Sequence, residues 1–99
     1  MRECDSIEQF LELVDQALFE VAELIESIEY EEVEEFAPYL PTYEQLRAQL
    51  QALAVEVKAG RHRFGGGDLP FMALLGPGRA VLPFRDLLED INRAHRRGF

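Results

Sequence analysis

Residues 7–28, with the sequence IEQFLELVDQALFEVAELIESI, decide the fold of this chain. An apolar residue recurs every seven positions through this stretch, and further apolar residues follow it three and four positions later. Three apolar positions per heptad make a stripe wide enough for a globular core, so the pattern predicts a long amphipathic helix. Asp5 or Ser6 can cap this helix and Pro38 stops it, which predicts helix 1 over residues 5–37.

A second amphipathic helix follows along the chain, over residues 42–59. Thr42 is a favourable N-cap, Gln45 stands where it would complete a capping box, and Gly60 is a favourable stop. Apolar residues alternate in spacings of three and four along this segment, which predicts one buried face. That face consists of Tyr43, Leu46, Leu50, Leu53 and Val57.

Glycine and proline divide the rest of the chain into a loop and two shorter helices. Gly65–Gly67 predicts a loop over residues 60–68, because three consecutive glycines stay helical only at a large entropic cost. Asp68 then resembles an N-cap. The segment LPFMALL is echoed as LPFRDLL 13 residues later, and proline is tolerated in a first helical turn. These two segments predict a short helix over 69–75 and a C-terminal helix over 83–97.

The fold class predicted from these elements is all-α, because no segment alternates apolar and polar residues with the period of two that a strand shows. We expect a single domain over residues 1–99, a small helical bundle in which helix 1 and helix 2 form an antiparallel hairpin. At about 1.5 Å per residue, helix 2 is too short to cover the whole apolar stripe of helix 1. The N-terminal part of the stripe must therefore be covered by the two shorter helices or by a second copy of the chain.

A homodimer is the outcome that we expect, since twofold dimers are the commonest small oligomers. Its predicted interface lies on helix 1 and consists of Ile7, Phe10, Leu11, Val14, Leu18 and Phe19. Phe19 lies far around the helix from the apolar stripe, so its ring is predicted to be exposed.

Charge is distributed unevenly along the chain. The net charge of the 99 residues is −9, but residues 1–40 carry −12, residues 41–58 are neutral and residues 59–99 carry +3. This balance disfavours direct binding of nucleic acid, which requires a basic surface. It favours internal charge pairing or a basic protein partner. The densest acidic run predicts an acidic face made of Glu29, Glu31, Glu32, Glu34 and Glu35.

Composition argues against several other classes of protein. Hydrophobic residues make up 47% and charged residues 29% of the chain, a balance typical of a globular domain and not of a disordered one. No apolar run reaches the ~18 residues of a membrane span, and the first residues lack the pattern of a signal peptide. We therefore expect a cytoplasmic protein without a membrane span.

The sequence predicts no catalytic motif, metal site or cofactor site. Cys4, His62 and His95 carry ligand chemistry, but they lack the spacings of known metal sites. His62 is expected in a solvated loop, and His95 at the edge of the apolar face of the last helix. Gly65–Gly67 lacks the lysine and the preceding strand of a phosphate-binding loop, and Asp68 would repel a phosphate.

These observations favour two functional hypotheses that are not enzymatic; a third, a small enzyme, would require a pocket with converging polar side chains. In the first, a small helical protein acts through protein–protein contact, as an adaptor, a regulator or a structural subunit. In the alternative, its acidic helix imitates a nucleic acid and binds a basic protein surface. Binding by such a mimic weakens steeply with ionic strength, whereas apolar docking does not, so salt distinguishes the two hypotheses.

Overall fold

The computed structural model describes residues 6–31, 37–75 and 84–98. Within these ranges the chain forms helices joined by turns and loops and contains no β-strand, which confirms the all-α prediction. The α-helices are α1 (Ile7–Glu31), α2 (Leu40–Lys58), α3 (Met72–Leu75) and α4 (Arg85–Arg97), and a 3₁₀ turn over Ala37–Tyr39 precedes α2.

The two long helices, α1 and α2, form the predicted antiparallel hairpin and make the most extensive contact in the fold. The 25 residues of α1 extend over about 37 Å, nearly the whole long dimension of a fold that measures 41 × 25 × 22 Å. The C-terminal helix α4 also packs on α1, and the short α3 packs on α4. The core therefore lies along one side of α1, between it and the other helices.

The buried side of α1 is rotated relative to the predicted stripe. Leu13 lies outside the heptad pattern and is buried, whereas Ile7 lies within it and is 49% exposed. Val14, Val21 and Ile28 share the heptad position of Ile7 and are buried, so Ile7 is exposed because it is the first residue of the helix. The buried residues of α1 are Phe10, Leu13, Val14, Ala17, Val21, Ile25 and Ile28.

The starts of the two long helices are stabilised in different ways. The backbone N–H of Gln9 donates to Ser6 Oγ at 3.2 Å, so Ser6, one of the two predicted candidates, caps α1. The predicted capping box of Thr42 and Gln45 is wrong, because α2 begins two residues before Thr42 and no side chain caps it. Pro41 lies in the first turn of α2, where its missing N–H costs no helical hydrogen bond, so the helix begins earlier than predicted.

The predicted end of helix 1 at residue 37 is also wrong. Ala37 belongs to the 3₁₀ turn that leads into α2, and α1 is described as far as Glu31. Residues 32–36 lie outside the described part of the chain. Pro38 lies within the 3₁₀ turn, where proline is compatible with the backbone but cannot extend an α-helix.

The predicted apolar face of α2 is confirmed. All five of its residues are buried, together with Ala54. The helix ends at Lys58, and Gly60 follows with a φ of +75°, a conformation that glycine adopts at little cost. This face supplies the α2 side of the core.

The two C-terminal helices are shorter than predicted. The segment before α3 forms a turn, in which the Met72 N–H donates to the Leu69 carbonyl at 3.0 Å. The described part of α4 begins at Arg85, after Phe84, and the predicted start at residue 83 lies outside the described residues. Arg85 Nη1 donates to the Leu75 carbonyl at 3.1 Å, so its side chain joins the end of α3 to the start of α4.

The loop after α2 covers the N-terminal end of α1. Phe10 of α1 is fully buried, with its ring edge-on to Phe64 at a centroid distance of 5.1 Å and stacked near His62 at 6.3 Å. The ring of His95 in α4 lies 4.9 Å from that of His62. The chain thus covers Phe10 by itself, with a loop that the length argument from the sequence did not consider.

Candidate functional site

The side of α1 that faces away from the core carries a continuous acidic surface. At 100° per residue, seven exposed residues fall on the side opposite the buried row. We call this surface the outer face of α1; it consists of Glu8, Glu12, Asp15, Phe19, Glu23, Glu26 and Tyr30.

Two aromatic side chains stand on the outer face. Phe19 is 62% exposed, as the sequence predicts, and Tyr30 is 81% exposed. They are 11 positions apart, which is three helical turns and about 16 Å along the helix. Both rings therefore project from the same side of the helix into solvent, with carboxylates around them.

The carboxylates of the outer face have no cation near them in the described structure. Residues 6–31 include no Lys, Arg or His. Ion pairs of described residues lie elsewhere: within α4, between α2 and the loop that follows it, and between that loop and α4. Within the described part of the chain, no ion pair therefore offsets the negative charge of α1. This charge faces solvent and is accessible to a partner.

The structure divides the predicted interface residues into three groups. Phe10 and Val14 are fully buried in the core of the single chain and are not on a free surface. Leu11 and Leu18 are half-buried and pack against the core. Ile7 and Phe19 are exposed, Ile7 to 49% and Phe19 to 62%. These two residues lie on different sides of α1, with Phe19 on the outer face and Ile7 beside Leu11 and Leu18 at one edge of the apolar side.

The predicted acidic run is described only in part. Glu29 is exposed, Glu31 is the last residue of α1, and Glu32, Glu34 and Glu35 lie outside the described residues. The acidic surface that the structure does describe extends instead along the whole of α1. The acids from Glu8 onward recur with the period of a helix, and this pattern in the sequence is the signal that predicts an acidic surface along α1.

A hydrogen-bonded histidine pair joins the loop after α2 to α4. His62 Nε2 lies 2.9 Å from His95 Nδ1, and His95 Nε2 lies 3.1 Å from the Gly67 carbonyl oxygen. Because a carbonyl oxygen only accepts, His95 Nε2 carries the proton and His95 Nδ1 accepts from His62. The prediction that His62 is solvated is wrong, since it is half-buried in this pair.

Burial lowers the pKa of His62, and the neighbouring charge of His95 lowers it further, while Glu56 opposes both effects. His62 is therefore biased toward the uncharged state at neutral pH. No group of three or more potential metal ligands occurs among the described residues. With two aromatic rings packed against it, the histidine pair has the surroundings of a structural link.

A second polar link holds the same loop against α4. The Asn92 side chain is buried; its Oδ1 accepts from the Leu69 N–H at 2.8 Å, and its Nδ2 donates to Asp68 Oδ1 at 2.9 Å. Arg96 donates to the same carboxylate at 3.1 Å. The predicted N-cap role of Asp68 is wrong, because its carboxylate binds α4 rather than a helix start. The Asn92 hydrogen bond is the main cause that lowers the pKa of Asp68.

Arginines of α4 line an open depression of about 530 Å³. Arg93 pairs with Asp90 at 2.8 Å, and Arg96 pairs with Asp68 at 3.1 Å. These two charges are thus compensated locally. The depression is not the strongest candidate for a functional site, because the acids of α1 lack such compensation.

Comparison of the chain with known protein families, with characterised proteins and with solved structures finds no match. No helix in the described part of the chain is long and apolar enough to cross a membrane. On the chemistry of the chain itself, the outer face of α1 is the strongest candidate for a functional site.

Proposed function

We propose that this protein acts without catalysis, through contact between the outer face of α1 and a basic surface of another protein. One observation carries the proposal. Phe19, 62% exposed, stands among carboxylates that form no ion pair within the described chain, on a helix without a basic residue. Such an arrangement is suited to an adaptor or regulatory subunit with a cationic partner.

Electrostatics within α1 supports a basic partner. Glu8 and Glu12 are four positions apart, and Glu23 and Glu26 are three apart, so like charges face each other along the helix. Each such pair destabilises an exposed helix by a few tenths of a kcal/mol. A cationic partner removes this repulsion on binding, which favours the complex over the free protein.

The two exposed aromatic rings support a partner that contains arginine or lysine. A guanidinium or ammonium group over the face of an aromatic ring is attracted by the quadrupole of the ring. Aromatic side chains are also the commonest anchors of protein interfaces. Phe19 and Tyr30 would supply two anchors about 16 Å apart, with carboxylates around each one.

A homodimer is a second proposal, supported by a different row of residues. Ile7, Leu11 and Leu18 lie along one edge of α1 and are incompletely buried. This edge is next to the outer face but distinct from it, so both contacts fit on one helix. Twofold packing along it would place the acids of two chains near each other, which makes the dimer sensitive to salt.

Site-specific photo-cross-linking tests the contact with a basic partner. The photoreactive residue p-benzoylphenylalanine is introduced at Phe19 in one variant and, as a matched control, at Val55 in another. Val55 is 57% exposed, and it lies on α2 and is not part of the outer face of α1. We expect cross-links in cells to proteins with a basic surface from position 19 and not from position 55. Equal labelling at both positions would contradict the proposal.

Charge reversal provides the second arm of this test. Glu12→Lys combined with Glu23→Lys should abolish the cross-link at position 19, whereas Glu44→Lys, at an exposed position of α2, should leave it unchanged. Competition with duplex DNA separates the nucleic-acid-mimic alternative from a general protein contact. DNA displaces a mimic from the nucleic-acid site of its partner, but does not displace a contact made elsewhere on that partner.

A further inference from the structure

A small apolar cavity lies on the α2 side of the fold, between that helix and residues 69–71. Its volume is about 310 Å³, which is at the small end of the range for ligand sites. Ala52 and Leu53 line it from α2, and Leu69, Pro70 and Phe71 line it from the other side. These walls favour an apolar occupant.

Gln49, one of the residues that line this cavity, has one unsatisfied polar atom. Its side chain lines the cavity, and its Oε1 is buried without a hydrogen-bond partner. A buried carbonyl oxygen without a donor has lost its hydrogen bonds to water and has not gained one within the protein, which costs free energy. An occupant that carries an N–H would restore the missing hydrogen bond.

The charged groups at the edge of the cavity are compensated. Glu56 lines it, but both carboxylate oxygens accept from Arg61, at 3.0 and 3.2 Å. His62 also lines it, and burial lowers the pKa of this ring, so it is mostly uncharged at neutral pH. An uncharged occupant fits this environment better than an ion does. The rings of His62 and Phe71 favour an aromatic one.

We propose that this cavity binds a compact, uncharged aromatic molecule that donates one hydrogen bond to Gln49 Oε1. Indole is the simplest probe of this chemistry, because it has two fused rings, one N–H donor and no strong acceptor. Benzofuran is its matched control, since it has nearly the same shape and carries an oxygen in place of the N–H. The site is independent of the contact proposed for α1.

Titration of the ¹⁵N-labelled full chain with each compound, followed by two-dimensional NMR, tests the proposal. We expect indole to shift the amide signals of Gln49, Leu53 and Leu69, and to bind about threefold to tenfold more tightly than benzofuran, the range of one hydrogen bond. Failure of indole to bind, shifts confined to other parts of the chain, or equal affinity for both compounds would each overturn the proposal.

Two variants locate the hydrogen bond. Gln49→Leu should remove the preference for indole over benzofuran, because the acceptor is lost while the apolar cavity remains. Gln51→Leu, at an exposed position of the same helix, should keep the preference. A preference that persists in Gln49→Leu shows that the N–H binds elsewhere and overturns the assignment. If Gln49→Leu fails to fold, the comparison of the two compounds on the unmodified protein still decides the proposal.

Discussion

At the scale of single residues, Asn92 holds the loop after α2 to α4. Its amide binds both the Leu69 backbone and the Asp68 carboxylate from a buried position. We expect Asn92→Ala to lower the free energy of unfolding by about 1–3 kcal/mol, because it leaves a buried N–H without an acceptor. Arg93→Ala, which removes an exposed ion pair, should cost less than about 1 kcal/mol. Urea titration of both variants measures the difference, and equal losses would contradict this role of Asn92.

The histidine pair makes part of the stability depend on pH. His62 has a lowered pKa in the folded protein, so the unfolded chain binds the proton more readily. The contribution is therefore fully present above the unfolded pKa of about 6.5 and is lost as the pH falls through it toward the lower folded pKa.

We expect the unmodified protein to lose more unfolding free energy between about pH 7.5 and about pH 5 than His62→Asn does. Glu56 and Asp68, whose pKa values are lowered in the folded protein, are present in both proteins, so the comparison isolates the contribution of His62. Urea titrations at the two pH values give the comparison. An identical pH dependence in the two proteins would show that the proton of His62 is not linked to folding.

Sequence reasoning found few of these polar residues, although a signal was present. Asn92 and His95 stand at helical spacing beside Leu88 and Ile91, on a face that is otherwise apolar. A polar residue on such a face predicts a buried hydrogen bond. Its partners, Leu69 and Asp68, come from a loop more than 20 positions away, and no local pattern identifies them.

At the scale of the helices, α2 carries the most regular part of the core. Leu50 is fully buried in the middle of its apolar face. Leu50→Ala should cost about 2–5 kcal/mol, the range for truncation of a buried leucine, whereas Val55→Ala on the exposed side should cost less than about 0.5 kcal/mol. Denaturant titration followed by circular dichroism measures both. A small loss at Leu50 would show that the face is loosely packed.

Helix positions were predictable where the apolar period is unbroken, whereas helix ends were predictable only approximately. The face of α2 follows from its spacings of three and four, and the cap of α1 was narrowed to two adjacent candidates, of which Ser6 is the one observed. Near Thr42 two signals compete, because proline in a first turn and threonine as a cap predict different starts. The proline determines the observed start. When two such signals compete, tertiary packing determines where the helix begins, and a local sequence pattern does not reveal that packing.

At the scale of the whole molecule, the prediction that can be tested most directly is that the chain forms a homodimer. If the edge formed by Ile7, Leu11 and Leu18 is a dimer interface, light scattering should give twice the chain mass of 11.4 kDa. Higher salt should strengthen this dimer, because it screens the acids of the two chains, while it weakens the contact with a basic partner. The two proposed contacts therefore respond to salt with opposite sign.

Leu11→Asp should return the mass to 11.4 kDa, since it places a charge in the proposed interface. Val14→Asp is not a suitable test, because Val14 is fully buried within one chain and the variant would report on folding instead. Glu8→Ala on the outer face should leave the dimer intact. A mass of one chain for the unmodified protein at both low and high salt would contradict the prediction.

The arrangement of the bundle as a whole was largely predictable, but the cover over the end of α1 was not. The long hairpin follows from two periodic segments and the prolines between them. The cover depends on Phe64 and His62 turning back onto Phe10. A loop with glycines at positive φ, such as Gly65 and Gly66, allows many paths, so the path that it takes is decided by tertiary packing.

The contact from Phe10 through His62 to His95 links α1 to α4. During synthesis on the ribosome, α1 emerges well before α4. The hairpin of α1 and α2 depends on local contacts and can form early, but the apolar side of α1 stays incompletely covered until α4 has emerged. Synthesis that stops before α4 would therefore release an intermediate with exposed apolar surface, which chaperones and proteases recognise.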